Sequence, residues 1–440
     1  MMRTLFTTCL AVLTLVPVAW AQSNGSCDTP NECVDLGIDP SEGTLVCCFT
    51  LVDPLQLDWL RVRFTQLDLG GDSFVILRSV TDPENYQRLD AVSAAQWQNR
   101  SAFLRGPEVQ VQVYAVAGAA AFAEAEVYLP QAELTSLKRD LCGQDDRQLC
   151  ADPDDDTCAQ RAVARFVGLG PCTAWLIGSG DLVSAGHCFD NLEILEFQVP
   201  ATNANTAHIN HPHPDHQYAF DPAGIERVPK WEIGDDWMIF RVYPNPNTGL
   251  MPLEAQQAFF RVSDQGDHLK DMSNELFNSG FGTTQGQPSG HRQRHKAMQT
   301  GEGELLEIAG TTVTHRIDTE SGSSGSPLYE RIGETQVSIA IHTNGGCDSN
   351  IFLRNHGTSL RNLGWQAALA RTTSGERYVD GAHPVPGNGS LLGPYADVQD
   401  GVDLAPDGTR LLIAPGTYQT DVLRGEGIVL EPIHGTVILD

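Results

Sequence analysis

The six residues GSSGSP, Gly322–Pro327, place Ser324 in a tight turn of small residues between two glycines. A serine hydroxyl is a weak nucleophile at neutral pH. It becomes useful when the backbone presents it bare and offers N–H groups to the oxyanion that its attack creates. Glycine at 322 and 325 permits the turn and lets a carbonyl approach the backbone. Taken alone this is a common kind of turn. Its meaning comes from what lies upstream of it.

Working outward, SAGHC at Ser184–Cys188 puts His187 after an apolar run broken by Gly-Ser-Gly, the pattern of a β-hairpin. Cys172 opens that hairpin and Cys188 closes it, so a bridge between them would pin His187 at the strand end. The third motif is GDDWMIF at Gly234–Phe240. An acid directly before an apolar strand can be buried at the strand entrance and orient an imidazole. Asp236 fits best, because it abuts Trp237, with Asp235 as the second choice. Alone, a histidine beside a cysteine reads as structural or metal-binding, an acid before a strand as a cap, and a serine in GSSG as a turn. The chain order His187, Asp236, Ser324 joins them into one constellation.

In that order the sequence resembles the trypsin/chymotrypsin-like serine peptidase family over roughly residues 160–372. GFGTT at Gly280–Thr284 fits the Gly-aromatic-Gly strand that the family often has between its Asp and Ser motifs. The resemblance implies an all-β fold of two six-stranded barrels with a cleft between them, His187 and Asp236 coming from the first barrel and Ser324 from the second. It implies a catalytic triad His187, Asp236 and Ser324, an oxyanion hole from the N–H groups of Gly322 and Ser324, and a Cys172–Cys188 disulfide. No metal or organic cofactor is needed for this chemistry.

The family usually has Asp just before the nucleophile, pairing with a newly cut N-terminal amine. Here that residue is Ser323, and no Ile-Val-Gly-Gly-like segment lies at the expected distance before Cys172; the nearest candidate, Phe166–Leu169, is too close. Activation by N-terminal insertion is therefore not expected. The glutamyl endopeptidase branch also lacks that Asp, and the sequence is similar to it in two further places. Thr319 lies five residues before Ser324, and His342 lies on the strand after it, matching positions that bind an acidic side chain in that branch. A Thr hydroxyl with an imidazole donor would suit a carboxylate. Two departures oppose this: ESGSS replaces the branch's more usual Gly-Gly-Asn-Ser, and Asp318 and Glu320 add negative charge. A basic cluster, HRQRHK at His291–Lys296, reads as a solvated surface loop, or as a patch that steers acidic substrates.

The N-terminus reads as a secretory signal peptide over residues 1–21, with Arg3, the apolar run Leu5–Val18 and the A-x-A site at Ala19–Ala21. That run is short for a membrane span, so the expectation is a protein secreted to an extracellular or periplasmic space. Of eleven cysteines, Cys9 leaves with the signal, and the remaining even set fits disulfides in an oxidising compartment. Cys27 and Cys33 are near candidates to pair with Cys47 and Cys48, while Cys142, Cys150, Cys158 and Cys347 stay unassigned; none forms a CxxC zinc pattern. The formal net charge of −28 argues against nucleic-acid partners, and the family resemblance implies protein or peptide substrates.

Residues 22–135 alternate apolar and polar at period two, as in WLRVRF and VQVQVYAV, and predict a β-sandwich-like module. Residues 136–160 form an acidic, cysteine-containing connector. Its Asp152 and Asp154–Asp156 read as a solvated linker, with Ca²⁺ binding as the alternative, and its Arg147, with Arg161 beyond it, as processing points. The peptidase domain is expected over 161–372. Within it, HINHPHPDH at His208–His216 is a rival metal cluster, but its prolines prevent a helical i, i+4 presentation, so a surface loop is expected. Residues 375–440 resemble the opening of a right-handed parallel β-helix, a short helix followed by short strands, and suggest carbohydrate or surface contact. The principal alternative is an inactive peptidase-like binding protein that acts through its flanking β modules.

Overall fold

The structure is a computed structural model. It describes residues 24–26, 42–128, 139–150, 160–168, 170–205, 208–228, 232–265, 275–284, 289–333, 335–347, 353–420 and 427–440. The signal-like leader, Asp152, Asp154–Asp156, and the cysteines 27, 33 and 158 lie outside the described residues.

The period-two segments of the N-terminal region are strands: Thr44–Val52, Trp59–Leu69, Phe74–Ser79, Tyr86–Asp90, Glu108–Ala115 and Ala121–Tyr128. They contribute to two four-stranded sheets. Alternation sets the facing: Val109, Val111 and Val113 point into an apolar core with Leu60, Val62 and Leu77, all essentially inaccessible to solvent. Gln110, Gln112 and Tyr114 occupy the opposite face and hydrogen-bond along the strand. This core also contains Val167, Ile194 and Ala219 of the following region, so the two share buried apolar surface. Buried polar links reinforce the contact. Arg61, 2% exposed, pairs with Glu193, and the Gln217 side chain bonds both the N–H and the carbonyl of Phe103.

Two further sheets follow. In the first, seven antiparallel strands run from Val163–Val167 to Trp237–Val242. The second contains a ring of six: Glu275–Gly280, Gln299–Ala309, Thr312–His315, Pro327–Ile332, Thr335–Asn344 and Asn355–Ser359. Pairing of Gln299–Ala309 with Thr312–His315 closes that ring. The result is a closed six-stranded barrel beside a half-barrel, a chymotrypsin-like arrangement. The half-barrel differs from the six-stranded closure expected. Its last hairpin, Phe220–Val228 against Trp237–Val242, shifts register between Asp221 and Glu226. At the opposite edge the N-terminal region binds Gln217. Aromatic and aliphatic side chains from both halves, including Trp175, Phe240, Phe260 and Tyr329, make one continuous core under the interface.

Toward the C-terminus the helix Val398–Leu404, capped by Asp397, precedes the strand Arg410–Ile413. That strand pairs in parallel with Glu376–Val379 and Val429–Pro432, and Gly416–Tyr418 pairs in parallel with Val437–Leu439. The parallel stacking is the β-helix-like pattern expected from the sequence. The stack has its own small core, and Arg261–Asp380 and His383–Val262 contacts tie it to the second sheet. Among the described residues no helix is long and apolar enough to cross a membrane.

Candidate active site

The turn carrying Ser324 is held from both sides. Thr173, on the strand Cys172–Leu176 of the half-barrel, donates its N–H to the Ser324 carbonyl at 2.8 Å and its hydroxyl to the Gly322 carbonyl at 2.8 Å. The Trp175 indole N–H reaches the Gly325 carbonyl at 3.1 Å. From the second barrel, Gly325 N–H donates to the His342 carbonyl, and His342 N–H to the Ser326 carbonyl, both at 2.8 Å. The glycines are required here. Gly322 and Gly325 have φ of +102° and +88°, and a Cβ on Gly325 would lie 2.2 Å from both Ser184 Oγ and the Thr173 carbonyl. The N–H groups of Gly322 and Ser324 have no acceptor among the described residues. Ser324 itself is half-buried.

His187 follows the strand Leu182–Ser184, which pairs with Trp237–Val242 in the register Ser184↔Met238. That register puts the residue before Trp237 beside His187. The His187 Nδ1 lies 2.6 Å from Asp236 Oδ2, and the His187 N–H donates to Asp236 Oδ1 at 3.0 Å. Asp236 is fully buried, and its backbone exchanges hydrogen bonds with the Thr358 hydroxyl. Asp235 faces elsewhere and accepts from the Asn362 amide. The Cys172–Cys188 bridge, with Cα atoms 6.1 Å apart, closes the hairpin, and Cys188 Sγ lies 3.7 Å from the Ser324 carbonyl. The half-barrel segment that carries His187 and the second-barrel turn that carries Ser324 therefore adjoin at the interface. Cys172, His187 and Cys188 also form the one convergent group of metal-type ligands among the described residues. The disulfide consumes both thiolates, so the group is not a metal site.

Thr319 and His342 are both buried beside this turn. Asn355 donates one amide hydrogen to Thr319 Oγ1 at 3.0 Å and the other to the Ile317 carbonyl, while its oxygen accepts from the N–H groups of Gly346 and Cys347. With Asn355 as donor, the Thr319 hydroxyl keeps its own hydrogen to give. The sequence reading missed His315 and His356. The Ile317 N–H donates to His315 Nδ1 at 3.2 Å, which leaves the proton on Nε2, 3.3 Å from His342 Nδ1. The His342 proton then sits on its own Nε2. Burial, with His187 and His356 nearby, pushes His342 down to about 3, and burial holds His315 well below its ordinary value. Both rings are neutral at physiological pH. The signal that could have found His315 was its place in the alternation VTHRI, two residues from the apolar Val313 and Ile317.

Three expectations need correction. Arg147 is not an accessible processing point: it is 4% exposed and forks onto Asp145. The His208–His216 segment is not a free surface loop, because His211 is buried, stacks on Phe103 at 3.6 Å and pairs with Glu196, while His208 and His213 turn to Asp58 and the Glu84 carbonyl. The HRQRHK cluster is likewise half internal. Arg294 and Lys296 are buried, Arg294 pairs with Asp145, and burial pushes Lys296 down to about 8.

The family model for Trypsin matches residues 159–354. The chain carries a trypsin-family domain. Two solved structures are similar at low identity. A Glu endopeptidase in complex with MPD is 16% identical, with a TM-score of 0.37, covering 52% of this chain and 97% of its own. A thermostable serine protease from an extremophilic microorganism is 13% identical, with a TM-score of 0.33, covering 46% of this chain and 91% of its own. Comparison with curated protein sequences yields no match. The matched residues include Thr173, His187, Asp236, Thr319, Ser324 and His342, while Asn355, His356 and Thr358 follow them and the segment from Arg139 to Cys150 precedes them.

Proposed function

We propose that the protein is a secreted serine endopeptidase that hydrolyses peptide bonds through Ser324, His187 and Asp236. The observation that carries this reading is the buried His187–Asp236 pair at 2.6 Å beside the glycine-framed Ser324 turn. In this mechanism Asp236 fixes the imidazole tautomer, with the proton on Nδ1 and Nε2 as the accepting nitrogen. His187 takes the Ser324 proton as Oγ attacks the scissile carbonyl, then returns it to the leaving amine. Water repeats the cycle on the acyl-enzyme. The unengaged N–H groups of Gly322 and Ser324 would receive the tetrahedral oxyanion, each worth ~3–4 kcal/mol in a comparable site.

The same reading gives the enzyme a preference for Glu or Asp before the scissile bond. In this reading the hydroxyl hydrogen of Thr319, left to it by Asn355, and the Nε2–H of His342 are the two donors, and a carboxylate is a partner that could accept both. Because His342 stays neutral, selectivity here rests on hydrogen bonds rather than on a fixed cation. The leader at residues 1–21 and the disulfides Cys142–Cys347 and Cys172–Cys188 support export to an oxidising space.

Cleavage of a mixed peptide library by the full chain, beside its Ser324→Ala variant, tests both claims. Cuts after Glu and Asp that vanish in the variant support them. Absence of cleavage by either protein defeats the peptidase reading and favours a binding role for the flanking β modules.

A further inference from the structure

Thr319 stands between two acids, Asp318 and Glu320, whose charges would repel the acidic side chain just proposed as its ligand. Both are buried, and both are answered by the segment that precedes the trypsin-like domain. Arg139–Asp140 pairs antiparallel with Thr319–Glu320, laying this segment along the pocket strand. The Cys142–Cys347 disulfide, with Cα atoms 4.8 Å apart, pins it there. Cys347 is itself held by Asn355, the residue that orients Thr319. The Asp318 carboxylate accepts the N–H groups of Cys142 at 2.6 Å and Asp146 at 3.1 Å. The Arg147 guanidinium lies 3.6 Å from Glu320 Oε2, with both side chains 2% exposed. Arg147 is fixed in turn by its fork onto Asp145, to which Arg294 also binds. Gln148–Leu149 then joins the second barrel at Thr300 and Gln299.

We propose that the segment Leu141–Cys150 is an electrostatic counterpart built onto the specificity pocket. Arg147 compensates Glu320, the Cys142 and Asp146 N–H groups engage Asp318, and the pocket thereby tolerates an acidic side chain at Thr319 and His342. Burial raises Asp318 to about 6; the two N–H groups offset part of that rise and the Asp146 and Asp145 carboxylates of the same segment add to it, so the charge of Asp318 is only partly compensated and the compensation falls chiefly on Glu320. Arg147 is a specificity-determining residue that acts through Glu320 and touches no substrate. The inference rests on the peptidase reading and on the acid preference above.

The test uses the full chain and two peptides identical except for Glu or Gln before the scissile bond. The readout is the ratio of their kcat/KM values. Arg147→Met should lower the Glu/Gln ratio about 10-fold or more, because Glu320 is left uncompensated near the incoming carboxylate. Arg147→Lys should recover part of it, and Arg147→Met with Glu320→Gln should return it to within about 3-fold of wild type. Should Arg147→Met fail to fold, Glu320→Gln alone reads the same coupling and should raise the ratio about 3-fold. A ratio unmoved by Arg147→Met or by Glu320→Gln, or a parallel loss on both peptides that the double variant does not repair, overturns the inference while the peptidase stands. A wild-type enzyme that cuts Gln as readily as Glu defeats the acid preference alone, since a fall of the ratio in Arg147→Met still supports the electrostatic role. A wild-type protein that cuts neither peptide overturns both readings.

Discussion

Two histidine–carboxylate pairs in this molecule have the same contact geometry. His187 Nδ1 is 2.6 Å from Asp236, and His211 Nδ1 is 2.6 Å from Glu196. Their surroundings differ completely. His187 stands at the interface of the two barrels, beside the Ser324 turn. His211 is sealed between the half-barrel and the N-terminal sheets, stacked on Phe103, with Arg165 bonded to the same glutamate at 2.6 Å. Burial pushes the Glu196 carboxyl up, but His211 and Arg165 bring it below its ordinary value; burial keeps His211 below its own. One pair lies beside the glycine-framed serine turn at the barrel interface, and the other uses its ring for packing. The pair alone is therefore no signature of catalysis. What the other face of the imidazole meets decides its role.

Mutation should separate the two pairs. Ser324→Ala should lower kcat on the order of 10⁶-fold, and Asp236→Asn about 10⁴-fold, with thermal unfolding within a few degrees of wild type in both. A residual rate above one hundredth of wild type in either would break the contrast. His211→Ala should do the reverse. Losing the stack on Phe103 and one partner of Glu196 should cost ~2–4 kcal/mol by denaturant titration, with kcat/KM held within about 3-fold below the transition. A large loss of turnover in a stably folded variant would reassign His211.

The next expectation sharpens the contrast inside the active cleft. Thr319→Val keeps shape and removes the hydroxyl that Asn355 orients. It should reduce kcat/KM on a peptide with Glu before the scissile bond about 10–100-fold, and reduce it less on the Gln peptide. Equal losses on the two would show a packing role only. The smallest effect concerns a third buried acid. Burial alone raises Glu330, on the strand Pro327–Ile332, to about 7. The folded chain holds that proton more tightly than the unfolded chain does. Its contribution to stability is therefore complete below about pH 4.5 and is lost as pH rises through about 7. After allowance for solvent screening, Glu330→Gln should stabilise the protein by about 1 kcal/mol at pH 8 and leave it little changed at pH 4, measured by chemical unfolding at both.

The local elements were legible because side-chain alternation is a short-range signal. WLRVRF and VQVQVYA form strands because alternate side chains reach one core. GSSGSP forms its turn because only glycine fits at 322 and 325. The helix-then-strand order after residue 397 was equally local. The contact of His315 with His342 was not legible, since the two are 27 residues apart in the chain.

The sequence by itself determined the β class, the turn at Ser324 and the order of the three motifs, since each follows from periodicity or from a backbone conformation that few residues adopt. Adjacency to Trp237 already favoured Asp236 over Asp235, but only the tertiary structure shows the contact, because the Ser184↔Met238 register brings one carboxylate to His187 and leaves the other on Asn362. It also turned Arg147 and Arg294, two apparently exposed cations, into buried partners of Asp145. A charged side chain is costly to bury without opposite charge, and although Asp145 is a near neighbour of Arg147, the pairs Arg294–Asp145 and Arg147–Glu320 join distant segments, of which spacing along the chain carries no record.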